Sequence, residues 1–182
     1  MKEAGCWLIA YGVESGNQNI LDAIKKGITI NQIILTFELT KKVGLLTVAY
    51  LIVGLPGETR DTIQETIDLV KKIGPNFIAC SAAQAYPGSH FYKLVQSGNY
   101  KGKLRTLGDG DNVAGTFASK GNLVMFESNF NLEELKAAVK KVNLAFYLRP
   151  KYIWQCLKGI RSFSDFIYYL NGGLEIIKFA LR

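Results

Sequence analysis

Histidine occurs once in this 182-residue chain, cysteine three times and methionine twice. A single histidine, His90, excludes a multi-histidine metal site. Cys6, Cys80 and Cys156 are odd in number and far apart, which excludes a disulfide framework and leaves no pair at metal-ligand spacing. Cys80 lies within an apolar run and Cys6 opens one, so both read as packing residues. No window supplies the roughly 20 apolar residues that a membrane-spanning helix needs. The opening residues MKEAGCWLIAYG do not have the pattern of a secretory leader, because charged residues precede only a short apolar run. The expectation is a cytoplasmic location. Hydrophobic residues make up 48% and charged residues 20%, enough apolar material for a core and too little charge for wholesale disorder. The net charge of +7 is spread as scattered lysines on prospective solvent faces of helices, so it reads as a solvated basic surface, and a nucleic-acid partner is not expected.

What is present alternates between two hydrophobic periods. Trp7 to Val13 is a short run of aromatic, aliphatic and β-branched residues, the pattern of a buried strand. Ile20, Leu21 and Ile24 then share a helical face, with Gly27 where a C-terminal cap belongs. Thr29 and Gln32 have capping-box spacing, and Ile30, Ile33, Ile34 and Phe37 form the stripe of a second helix ended by Gly44. A second strand runs from Thr47 to Val53, followed by a helix capped by Thr59 with Ile63, Ile67, Val70 and Ile73 on one face. Gly74-Pro75 stops it, and Phe77 to Gln84 reads as a third strand.

Strands joined by short helical links imply parallel β-α-β units, with all strand C-termini along one edge. The corners GVESG, GLPGET and AYPGS then sit side by side on the edge where α/β folds bind ligands. Glu14 at the first corner can accept hydrogen bonds from sugar hydroxyls, and Ser15 adds a polar contact. GLPGET has an acid where a phosphate loop needs Lys followed by Ser or Thr, so phosphate binding is disfavoured; its exposed backbone suits a flat neutral ring such as adenine. Residues 98–130 are rich in Gly, Asn and Asp and read as a loop-rich connector. Residues 131–182 read as a basic, aromatic helical extension, with short helices broken at Pro150 and at Gly172-Gly173. Helices packed against the domain are expected there, with peripheral membrane contact as the alternative.

The segments GVESGNQNIL, LIVGLPGETRDTIQETIDL and AYPGSHFY together resemble the C-terminal half of the radical S-adenosylmethionine (SAM) barrel, in the branch of cobalamin-binding radical SAM methylases and the anaerobic magnesium-protoporphyrin ester cyclase. The resemblance covers roughly the first 95 residues; the tail FYLRPKYIWQCL is similar to that branch's helical extension. It implies an α/β fold, a partial (β/α)6-type barrel of three parallel strands with helices, plus a helical extension. It implies an enzyme that cleaves SAM at a 4Fe–4S cluster and acts on a small-molecule or lipid-like substrate by methyl transfer or oxidative cyclisation. Glu14 and Ser15 would meet the SAM ribose; Val53, Gly54 and Leu55 would meet adenine, with Glu58 bracing the turn; Tyr86 and Pro87 would complete the adenine contact.

The family's Cys-x3-Cys-x2-Cys loop is absent from this chain. No metal-ligating residue is assigned to it, and no catalytic residue is identified. The expectation is a fragment whose residues 1–97 form the C-terminal half of the barrel, inactive alone, whose partner is an N-terminal half-barrel; cobalamin would bind in a further domain. Two rival readings are a tRNA-modifying, methylthiotransferase-like enzyme and a non-catalytic adaptor derived from the barrel. An unpaired apolar strand edge argues for the fragment.

Overall fold

The computed structural model describes residues 1–86, 88–97, 103–106, 124–127, 129–160 and 162–181. Three strands, β1 (Leu8–Glu14), β2 (Leu46–Val53) and β3 (Phe77–Ala82), form one sheet in the order β1-β2-β3, both pairs parallel. Between them run α1 (Gln18–Ala23), α2 (Ile30–Lys42) and α3 (Arg60–Ile73). This is the parallel α/β arrangement expected from the periodicity, and it agrees with the three-stranded partial barrel that the resemblance implies.

The helix boundaries follow local chemistry. Thr29 and Gln32 form a reciprocal capping box on α2, as the spacing predicts, and Thr59 with Thr62 does the same for α3. Gly74 closes α3 in the left-handed region, where it carries no Cβ penalty. One expected stop moves: α1 ends at Ala23, before Gly27, because Ile24 already takes the C-cap position.

After α4 (His90–Gln96), Lys103–Thr106 (β4) and Val124–Glu127 (β5) pair antiparallel. Helices α5 (Leu132–Tyr147), α6 (Pro150–Gly159) and α7 (Phe163–Leu181) complete the chain. Pro150 starts α6, where its missing N–H and fixed φ suit the first turn. The expected break at Gly172-Gly173 does not occur, since α7 runs through both glycines. Two glycines lower helix stability by roughly 1 kcal/mol each without breaking the hydrogen-bond ladder, and helix on both sides carries them.

The core lies on one face of the sheet. Thr47, Ala49, Leu51 and Val53 of β2 are buried, while Leu46, Val48, Tyr50 and Ile52, pointing the other way, are exposed or half-exposed. Period-two alternation therefore records a sheet covered by the described helices on one side only. The covering layer is α2, α3 and also α5, whose Leu135, Val139, Val142 and Phe146 join Leu51, Val53, Ile67 and Cys80 in a single cluster. Tyr147 extends this contact to the strand edge. Its hydroxyl accepts from Ile78 N–H (3.1 Å) and donates to Ile78 C=O (2.8 Å), so one side chain satisfies both backbone groups of a β3 edge residue. On the opposite side, no strand among the described residues pairs with the outer edge of β1.

Candidate functional site at the C-terminal strand edge

The first corner begins with a register shift between Gly12 and Glu14, a bulge that bends β1 and re-aims its last residue. Glu14 takes φ +63°, in the left-handed region that residues with a Cβ seldom occupy. Its carboxylate, half sheltered, accepts from Lys26 Nζ at 2.7 Å. Both groups lie close to Gly12: a Cβ there would fall 2.4 Å from Glu14 Oε1 and 2.8 Å from Lys26 Nζ. Lys26 is a site residue that the sequence did not reveal, because it lies beyond α1 and no local pattern links it to Glu14.

Behind Glu14, the corner is locked onto α3. Ser15 is fully buried, and its hydroxyl accepts from Asn17 N–H (3.2 Å) and lies 3.4 Å from the Thr66 hydroxyl. Gly16 N–H donates to Thr66 Oγ1 at 2.8 Å, and a Cβ on Gly16 would come within 2.5 Å of the Thr66 Cα. The structure thus places Ser15 on the helix side of the rim, with its hydroxyl already engaged.

The second corner turns on Gly54, at φ +84°. Gly54 and Leu55 both donate backbone N–H to Glu58 Oε2, the latter at 3.4 Å, and Glu58 N–H closes the turn onto Leu55 C=O at 3.0 Å. Glu58 is fully buried, and its second oxygen has no partner among the described residues. Burial pushes its carboxyl up to about 7, against the opposing pull of the Gly54 and Leu55 N–H groups. The turn is clamped from outside by α5 and the segment leading into it: Asn129 Nδ2 donates to Glu58 C=O at 2.7 Å, and Leu135 of α5 lies where a Cβ on Gly54 would be. Val53, Gly54 and Leu55 are all buried, so this corner offers shape and backbone rather than exposed side chains.

The third corner is tied to the second by Ala83 N–H donating to Val53 C=O at 2.7 Å. Tyr86, 55% exposed, donates its hydroxyl to Gln84 Oε1 at 2.7 Å, and the Gln84 amide nitrogen is buried without a partner among the described residues. Pro87 lies outside the described residues. Leu55, Ile20 and Ala83 form a small apolar cluster of their own, so residues from after all three strands meet at one edge.

The residues present do not fit a 4Fe–4S cluster, which needs thiolate ligands. Cys80 is buried and its thiol is pushed up by burial and by neighbouring Glu58, so the neutral packing form is favoured. Among the described residues no group of three or more His, Cys, Asp or Glu could hold a metal ion.

Comparison with known proteins agrees with the resemblance carried by the three corners. The family model described as Radical SAM superfamily matches residues 1–70. An uncharacterized methyltransferase of Pyrococcus horikoshii is 32% identical over 173 residues, covering 92% of this chain and 34% of that protein. The anaerobic magnesium-protoporphyrin IX monomethyl ester cyclase of Rubrivivax gelatinosus is 30% identical over 92 residues, 50% of this chain and 17% of the cyclase. Among solved structures, the Elp3 of Methanocaldococcus infernus with an N-terminal deletion superposes with a TM-score of 0.51 at 22% identity, over 54% of this chain and 24% of Elp3. The chain therefore spans about a third of the length of the first of these relatives and less of the others.

Proposed function

We propose that this radical SAM superfamily chain supplies the ribose and adenine side of a SAM site, in an enzyme that carries out methyl transfer or oxidative cyclisation on a small or lipid-like molecule in the cytoplasm. The observation that carries the proposal is the joining of three strand-end corners at one edge, through the Ala83–Val53 hydrogen bond and the Leu55, Ile20 and Ala83 cluster. Ligands of α/β folds bind at that edge. The left-handed Glu14 adds weight, because residues held in sparsely populated backbone conformations cluster at functional sites.

In this reading Glu14 accepts hydrogen bonds from the ribose hydroxyls, and Lys26 fixes the orientation of its carboxylate. Tyr86, held by Gln84, presents an exposed ring beside the adenine. The turn braced by Glu58 sets the backbone of Val53, Gly54 and Leu55 beneath it, and Ser15 with Thr66 anchors the first corner to α3. SAM, when bound and cleaved at a 4Fe–4S cluster, is the source of a 5′-deoxyadenosyl radical in this family. The cluster's ligands are not in this chain, so the chain by itself does not turn over, and any cobalamin binds outside it as well.

The test is a titration with SAM monitored by the fluorescence and amide signals of the chain. The expected result is weak, saturable binding that Glu14→Ala reduces by at least about tenfold, as for loss of a charged hydrogen-bond acceptor. Absence of binding to the unaltered chain would favour the adaptor reading instead.

A further inference from the structure

We propose that α6 and α7 dock peripherally on an anionic membrane surface, a role independent of the SAM site. On α6, Ile153, Trp154 and Leu157 are 46%, 58% and 55% exposed. On α7, Phe163, Ile167, Leu170 and Leu174 recur at steps of four, three and four, a single helical stripe, and all are at least 40% exposed; Phe166 flanks them. The other face of α6 is held by the domain: Tyr152 packs on Phe146 and Tyr147 of α5, at ring-centroid distances of 5.2 Å in both pairs, which leaves Ile153, Trp154 and Leu157 turned outward. Contiguous exposed apolar stripes of this kind mark interaction surfaces.

The charge identifies the occupant. Residues 149–182 contain six Lys or Arg against two acids, Asp165 and Glu175. On α6, Lys151 and Lys158 flank the apolar stripe, with Lys158 Nζ 5.2 Å from the Trp154 ring centroid. Apolar groups that enter the acyl boundary, an indole at the interface and lysines that extend towards headgroups are the components of an interfacial helix. Anionic lipid satisfies the stripe and the positive charge together. No helix among the described residues is long and apolar enough to cross a membrane, so the helices lie on the surface.

Flotation of the chain with phosphatidylcholine vesicles, with and without phosphatidylglycerol, tests this. The chain is expected to float with the mixed vesicles and to release at high salt. The double variant Lys151→Glu/Lys158→Glu should bind the mixed vesicles at least about tenfold more weakly, given the attraction each basic residue contributes at an anionic surface. Leu157→Ser/Phe163→Ser/Leu170→Ser should lose binding while melting like the parent chain, since these side chains are exposed. No flotation, flotation unchanged in both variants, or sedimentation showing a dimer that the triple serine variant abolishes would overturn the proposal.

Discussion

Replacing Glu58 by Gln isolates the most unusual electrostatic feature of the site. The carboxyl is fully buried, and its folded value of about 7 stands above the ordinary 4.5. Between these two values the folded chain holds a proton that the unfolded chain has released. Stability from this group is therefore fully present below about pH 4.5 and is lost as the pH rises through about 7. A shift of this size corresponds to roughly 2–3 kcal/mol between pH 5 and pH 8, or about 5–10 °C in melting temperature for a chain of this length. Glutamine keeps one oxygen for the Gly54 and Leu55 N–H groups and does not titrate. Its amide nitrogen would replace the unpartnered oxygen, at a cost of roughly 1–2 kcal/mol at every pH. Urea unfolding of both proteins from pH 5 to pH 8 gives the difference directly, with contributions from other groups cancelling. The parent should be the more stable at pH 5 and should lose that advantage by pH 8. Parallel stability curves would refute the reasoning, showing that the buried carboxyl is not the proton-binding group described here.

Other predictions address the supports of the same edge. Gly54→Ala should destabilise the chain by roughly 2–3 kcal/mol in urea unfolding, because alanine resists φ +84° and its methyl would collide with Leu135. Tyr147→Phe should destabilise by about 1–2 kcal/mol and should speed hydrogen exchange at Ile78, whose N–H and C=O both lose their partner; unchanged exchange there would contradict the edge role of Tyr147.

The strands and the principal helices were legible because each rests on local signals: period-two runs, a capping box at Thr29, an N-cap at Thr59, and glycines with positive φ at Gly44 and Gly74. The juxtaposition of the corners followed from parallel topology alone. Contacts made across many residues carry no such signature. Nothing near Glu14 in the chain points to Lys26, nothing near Gly54 points to Leu135, and the Tyr147 hydroxyl reaches Ile78 across 69 residues. Ser15 shows a related limit. Its position in a strand-end corner suggests a ligand contact, yet facing inward or outward is decided by α3, which supplies Thr66. The glycines at 172 and 173 suggest a break that α7 does not make, because helix propensity is a weak term that neighbouring residues override.

The most direct measurement of the central claim is an amide NMR map of the chain titrated with SAM, a method sensitive even to millimolar binding. The account predicts shifts concentrated at Gly12 to Gly16, Gly54 to Glu58 and Gln84 to Tyr86, together with the side-chain signals of Lys26. Shifts scattered over the helices, or confined to a surface away from these three corners, would contradict it.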